Sequence, residues 1–281
     1  MPLPDSDRLL DDLQALHEAL DTSSDAAPYV ERAMKAVQEP RTPGLQGPTT
    51  PPAGDAADLA RFLDHTHLRP DATTEDIDAV CKEARRHGFA AVCIPPNTVT
   101  RATRRLSGTD VAVCTVIGFP HGTNRSSVKA YEATQALRDG ATEVDMVAPI
   151  GWLTDHRFSD AADDIRAVVD AVNTADAHAR VKVILETALL TQAEIAVACI
   201  AAQEAGADFV KTSTGFAAGG ATVENVALMR QMVGDALGVK AAGGVGSAAD
   251  ARTMIAHGAT RIGASGSVQI VTGRASETAY S

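Results

Sequence analysis

The hydrophobic positions of this chain follow two rhythms. In the first, Leu9, Leu13, Leu16 and Leu20 recur at helical spacing, and Val30, Met34 and Val37 repeat it more weakly. Two short amphipathic helices are expected there, with Pro28 near the start of the second. Helices of this length are marginal alone, so their apolar faces need a partner, either the rest of the chain or another subunit. Between Pro40 and Gly54 come five prolines and three glycines with little hydrophobicity, the composition of a linker or surface meander. In the second rhythm, from about Ala56 onward, a helix-like stretch closes on a glycine and a short apolar run follows. The instances are Gly88 before Phe89, Gly140 before Ala141, Gly206 before Ala207 and Gly258 before Ala259. Glycine at a helix C-terminus feeding a buried strand is the usual helix-to-strand connection.

The pattern yields eight strands: Phe62 to Thr66, Ala90 to Ile94, Val111 to Ile117, Glu143 to Val147, Val181 to Glu186, Phe209 to Thr212, Val239 to Ala241 and Thr260 to Gly263. Helices are expected between them at Thr74 to His87, Asn97 to Leu106, Ser127 to Asp139, Asp160 to Asn173, Thr191 to Ala205, Thr222 to Leu237 and Ala248 to His257. Eight strands alternating with helices predict the α/β class, a (β/α)8 TIM barrel with a short N-terminal helical extension. The rival is a doubly wound sheet, which would carry a glycine fingerprint after its first strand. Leu63-Asp64-His65-Thr66 has no glycine after it, and Gly243-Gly244-Val245-Gly246 lacks the dinucleotide spacing. Residues 1–55 are assigned to the helical extension and linker, and 56–281 to the barrel, which is the catalytic domain.

Composition narrows the class. The net charge of -11 argues against a nucleic-acid partner, and no apolar run approaches a membrane span. The acidic N-terminus lacks the apolar stretch of a signal peptide, so a cytoplasmic location is expected. Cys81, Cys93, Cys114 and Cys199 form no CxxC pair and read as buried free thiols in a reducing compartment. No metal is expected, because no tight cluster of histidine, cysteine and carboxylate is visible.

In a barrel, functional side chains sit at the C-terminal ends of the strands. That rule selects Asp64 and His65, Cys93, Asp145, Lys182 and Glu186, Lys211, and Lys240. Buried unpaired charges are expensive, so these groups are expected to meet in the barrel mouth, as a catalytic constellation or as a structural ion-pair network. Lys211, delivered by the apolar pair Phe209-Val210, is the best nucleophile, since a lysine amine forms a Schiff base with a carbonyl. Burial and a like charge from Lys240 would both favour its neutral form. Asp145 could pair with Lys240 or relay a proton, and Lys182 points inward if Val181 and Val183 face the helices. Thr212 through Gly215, Gly243-Gly244 and Gly263 through Gly266 follow the last three strands. They are ordinary turns or a backbone cradle for an anion, with Ser265 opening a short helix.

Taken together, Leu63-Asp64-His65-Thr66, Val92-Cys93-Ile94-Pro95, Val116 to Gly122, Glu143 to Val147, Val181 to Thr187, Asp208 to Phe216 and Lys240 to Gly244 resemble deoxyribose-phosphate aldolase, a class I aldolase family on a (β/α)8 barrel. The segments run in order over roughly residues 58 to 272. The resemblance implies reversible cleavage of 2-deoxy-D-ribose 5-phosphate to acetaldehyde and D-glyceraldehyde 3-phosphate, with no metal or organic cofactor. Lys211 matches the Schiff-base lysine, Asp145 and Lys240 the proton-relay pair, and Lys182 and Asp64 their supporting charges. Cys93 matches a cysteine of the substrate pocket, and Thr212, Gly215, Gly243, Gly244 and Ser265 fall in its substrate-binding and phosphate-binding segments. Tyr280 matches a C-terminal tyrosine that assists proton transfer at C2. Gly266 and Phe216 stand where some members carry a serine and a lysine. Those departures leave open another Schiff-base aldolase with a different acceptor aldehyde. The resemblance also implies a homodimer.

Overall fold

Eight parallel strands close a barrel in sequence order. They are β1 (Leu63–Thr66), β2 (Ala91–Ile94), β3 (Ala112–Ile117), β4 (Glu143–Val147), β5 (Arg180–Ile184), β6 (Phe209–Lys211), β7 (Gly238–Ala242) and β8 (Arg261–Ala264). The computed structural model describes residues 5–20, 25–39 and 55–274; the expected linker at Pro40 to Gly54 and Tyr280 lie outside the described residues.

The strands are three to six residues long and together form the barrel wall. Alternation sorts their side chains into two layers. Leu63, Val144, Met146, Val181, Val183, Val210, Val239, Ala241 and Ile262 point outward and join one continuous core with the surrounding helices. The alternate positions point inward, and several of them are charged, where barrels of this kind usually carry branched aliphatic residues.

The surrounding helices are α3 (Thr74–His87), α4 (Val99–Leu106), α5 (Ser126–Arg138), α6 (Ile150–Thr154), α7 (Phe158–Ala175), α8 (Gln192–Glu204), α9 (Val223–Val233), α10 (Ala248–Ala256) and α11 (Ser267–Thr272), preceded in the chain by α1 (Ser6–Ala19) and α2 (Ala27–Gln38). Thr73 with Asp76, Thr191 with Glu194, and Ser247 with Asp250 form capping boxes that start α3, α8 and α10. Several expected boundaries shift, two of them at a distinctive local feature. The helix expected from Asn97 opens as a 3₁₀ turn at Pro96–Thr98 and is α-helical from Val99. The helix expected to run to Leu237 stops at Val233; Gly234 turns the chain at φ +52°, and the Arg230 guanidinium caps the carbonyls of Gly234 and Leu237. Helices α6 and α11 are too short to leave a periodic signal.

The partner of the N-terminal helices is the barrel itself. Helices α1 and α2 pack on each other and against α8 and α9. Leu9, Leu13, Leu16, Val30 and Val37 are buried in the same core as the barrel's outer layer, and each fully buried leucine contributes roughly 1.5–3 kcal/mol. Gln231 donates to the Ala36 and Val37 carbonyls at 3.4 and 3.3 Å. Covered on both sides, α8 is buried from Ala193 to Ala202, which explains its nearly continuous apolar sequence. Outside the barrel interior, Lys129 of α5 is fully buried and donates to Asp164 of α7 at 2.7 Å and to the Val147 carbonyl at 2.9 Å. It thereby ties two helices to the end of β4. Among the described residues no helix is long and apolar enough to cross a membrane.

Candidate active site

Inside the barrel, period-two alternation delivers Asp64 from β1, Glu143 and Asp145 from β4, Lys182 from β5, Lys211 from β6, Lys240 from β7 and Arg261 from β8. Lys211 and Lys240 are register partners on adjacent strands, as are Asp145 and Lys182. All seven side chains are buried, and Lys211 is only 2% exposed.

Asp145 is the hub. Its Oδ2 accepts from Lys211 at 2.8 Å and from Lys240 at 2.7 Å, and its Oδ1 accepts from Lys182 at 2.8 Å. Asp64 forms the second node: it pairs with Lys240 and accepts from Arg261 at 2.6 Å. Glu143 closes the network below, 2.6 Å from Lys182 and 3.0 Å from Arg261. Phe209 floors the cluster, with Arg261 over its ring at 5.7 Å. Gly238 makes room for that ring, since a Cβ there would lie 2.1 Å from Phe209 Cε1.

The electrostatics follow from this packing. Burial alone would raise the carboxyl of Asp145, but the fields of Lys182, Lys211 and Lys240 prevail and hold it well below the ordinary range. Burial likewise opposes ionisation of Asp64, and Arg261, Lys240 and Lys182 overcome it. Lys240 and Lys182 are desolvated, yet Asp145 and the other carboxylates hold both ammonium groups above the usual lysine range. Asp145 is therefore an ionised carboxylate between cations, and Lys240 an ammonium group beside Lys211.

Three glycines shape the rim. Gly215, Gly243 and Gly244 adopt φ of +85°, +86° and +82°, the left-handed region that glycine enters without steric cost. The loops after β6 and β7 touch: Ala221 donates to the Gly243 carbonyl at 3.0 Å, and a Cβ on Gly220 would lie 2.4 Å from that oxygen. Glu186, itself at φ +56°, accepts from the Thr214 main chain at 3.2 Å and from its hydroxyl, which orients the turn at Gly215. Beside the mouth, Phe119 and the 54% exposed Phe216 meet edge to face at 5.2 Å between centroids.

The other expected positions lie around this network or outside it. His65 faces outward, with Nε2 2.8 Å from Glu83 on α3, because it alternates with Asp64. The Thr212 hydroxyl donates to the Ala242 carbonyl and accepts from the Ala242 N–H, both at 3.0 Å, so it ties β6 to β7. Ser265 is exposed in the turn after β8, and the short helix starts at Ser267. Cys93 is fully buried, with Sγ 4.0 Å from Asp145 Oδ2. Glu143, Arg261 and Cys114 were not selected by the strand-end rule. The first two are charges at the N-terminal ends of their strands, the same pattern that exposes Lys182 read one turn deeper in the barrel. Cys114 donates to Asp145 Oδ1 at 3.1 Å.

Two sets of potential ligand atoms, Cys93 with Cys114 and Asp145, and Asp64 with Cys114 and Glu143, each fall within 4.8 Å of one another. Their carboxylates already carry ammonium or guanidinium partners, so these atoms belong to a charge network and not to a metal centre.

The chain as a whole has close relatives. The profile of the DeoC/LacD family aldolases matches residues 59–276. A deoxyribose-phosphate aldolase of Clostridium perfringens is 53% identical over 226 residues, covering 80% of this chain and 100% of that protein. A structure from Coccidioides immitis, provisionally assigned as a deoxyribose-phosphate aldolase, superposes with a TM-score of 0.80 at 39% identity, covering 90% of this chain and 99% of that one. The deoxyribose phosphate aldolase of Aeropyrum pernix, described as a unique tetramer, superposes with a TM-score of 0.72 at 30% identity, covering 88% and 97%. On this match in sequence and fold, the chain belongs to the DeoC/LacD family of aldolases.

Proposed function

We propose that this chain is a class I aldolase that reversibly cleaves 2-deoxy-D-ribose 5-phosphate to acetaldehyde and D-glyceraldehyde 3-phosphate through a Schiff base on Lys211. The observation that carries the reading is the Lys211 ammonium position, buried and 2.8 Å from the one carboxylate oxygen that it shares with Lys240. The amine form of Lys211 attacks the C1 carbonyl of the open-chain sugar. The carbinolamine loses water to give an iminium, which carries the same positive charge as the ammonium it replaces, so Asp145 keeps its partner. The iminium draws electrons from the C2–C3 bond as the C3 hydroxyl loses its proton. Glyceraldehyde 3-phosphate departs and leaves a two-carbon enamine. Protonation at C2 and hydrolysis release acetaldehyde.

In this scheme Asp145 relays protons between Lys240 and the reacting atoms. Lys182 and Asp64 hold that pair in place, and Cys93 borders the substrate. Gly215, Gly243, Gly244 and Ser265 cradle the phosphate, Thr212 keeps their loops in register, and Tyr280 assists at C2. A homodimer in the cytoplasm completes the proposal; four buried free cysteines suit a reducing compartment. Light scattering reads the assembly.

The Phe119–Phe216 pair favours a second reading, the same Schiff-base chemistry with a less polar acceptor aldehyde. Product analysis separates the two. Glyceraldehyde 3-phosphate formed from deoxyribose 5-phosphate at a kcat/KM well above that for unphosphorylated deoxyribose supports the first. Equal values for both sugars favour the second.

A further inference from the structure

Two buried thiols beside the reactive lysine are not used by the chemistry above. Cys93 and Cys114 are register partners on β2 and β3, so their side chains project from adjacent strands toward the same interior. Neighbouring strands stand about 4.7–4.9 Å apart, inside the Cα separation of about 4.4–6.8 Å that a disulfide accepts. The two sulfurs and an Asp145 oxygen all lie within 4.8 Å of one another. Cys114 Sγ is 3.1 Å from Asp145 Oδ1 and 3.3 Å from Lys182 Nζ. Cys93 Sγ lies 4.0 Å from Asp145 Oδ2, the oxygen shared by Lys211 and Lys240.

We propose that Cys93 and Cys114 form a peroxide-sensitive dithiol whose oxidation to a disulfide uncouples Asp145 and suppresses turnover. The assignment rests on thiol geometry and not on the identity of the sugar. The first step falls to Cys93. The contact with Cys114, aided by the positive field of Lys240 and Lys211, outweighs burial and lowers its thiol, while burial raises that of Cys114. The Cys93 sulfur attacks hydrogen peroxide, the O–O bond breaks, and water leaves with a sulfenic acid on Cys93. The Cys114 sulfur then attacks the Cys93 sulfur. The S–O bond breaks, and the departing hydroxide takes the Cys114 proton as a second water. Two thiols are oxidised, and one peroxide is reduced to two waters. Any path that admits a sugar aldehyde to Lys211 admits peroxide. Closing the S–S bond consumes the Cys114 S–H that donates to Asp145 Oδ1. Loss of one donor to a buried carboxylate corresponds to a fall in turnover of about tenfold.

The other two cysteines are internal controls. Cys81 on α3 and Cys199 on α8 sit in the outer core, and burial pushes the Cys81 thiol up to about 12.

The test treats the full chain with hydrogen peroxide, alkylates remaining thiols, and reads intact mass, peptide map and turnover before and after dithiothreitol. The expected result is loss of two hydrogens, a link between the Cys93 and Cys114 peptides, a turnover drop of about tenfold, and recovery on reduction. In Cys114→Ala the link is absent, and dimedone traps a sulfenic acid on Cys93. A link involving Cys81 or Cys199, a sulfinic acid on Cys93 with Cys114 still free, or no change in mass overturns the proposal. A Cys93–Cys114 link with unchanged turnover overturns its control of the enzyme. Turnover before peroxide reports on the aldolase reading separately.

Discussion

Replacing Asp145 with asparagine keeps the shape of the hub and removes its charge. In the native protein four cations, Lys182, Lys211, Lys240 and Arg261, face three carboxylates. In the variant they face two. Lys240 keeps Asp64, and Lys182 keeps Glu143 at 2.6 Å. Among the described residues Asp145 is the one carboxylate ion-paired with Lys211, which is left without a counter-ion. Breaking a buried pair by removing one partner costs about 3–5 kcal/mol; because two of the three lysines retain another carboxylate, the lower end, about 3 kcal/mol, is expected. Denaturant titration at pH 7 measures it. The pH dependence gives a second reading. The carboxyl of Asp145 is depressed in the fold, so its ionisation stabilises the protein fully above the unfolded value of about 3.9, and that contribution is lost as pH falls through the folded value. The stability gap between native protein and Asp145→Asn should therefore stay flat from about pH 7 to 5 and narrow only below about pH 4. Turnover should fall by about 10²–10⁴-fold, the range for losing a positioned proton-transfer group. A gap under about 1 kcal/mol, or one that closes between about pH 7 and 5, would refute the reasoning.

Two further changes probe the surroundings. Lys129→Met leaves Asp164 buried and unpaired and frees the Val147 carbonyl, so it should cost about 3 kcal/mol or more in denaturant titration. Gly220→Ala places a Cβ 2.4 Å from the Gly243 carbonyl and must displace the loop after β7. KM for deoxyribose 5-phosphate should rise about tenfold or more, whereas Schiff-base formation with acetaldehyde alone should be nearly unchanged.

Much of the site was legible because charges inside apolar runs are conspicuous. Lys182 between Val181 and Val183, and Asp145 between Val144 and Met146, could only point into the barrel once their neighbours faced the helices. Glu143 and Arg261 obey the same alternation but lie at the opposite strand ends, where a search for reacting groups does not look. Cys114 is invisible to composition, since a thiol in an apolar strand reads as core; only the register of β2 with β3 brings it beside Cys93. Thr212 follows Lys211 directly and looks like the first loop residue. Its hydroxyl goes to Ala242 because β6 and β7 continue their contact past the last ladder pair. The N-terminal leucines announced a covered helix face, and the unusually apolar α8 was the matching signal on the barrel side.

The central claim is that Lys211 forms the covalent intermediate. Incubation with deoxyribose 5-phosphate or with acetaldehyde, followed by borohydride and peptide mass mapping, tests it directly. The account expects a two-carbon adduct on Lys211 after either ligand, which fixes the nucleophile and the C2–C3 cleavage together. An adduct on Lys182 or Lys240 in place of Lys211, or none in the folded protein, would contradict it.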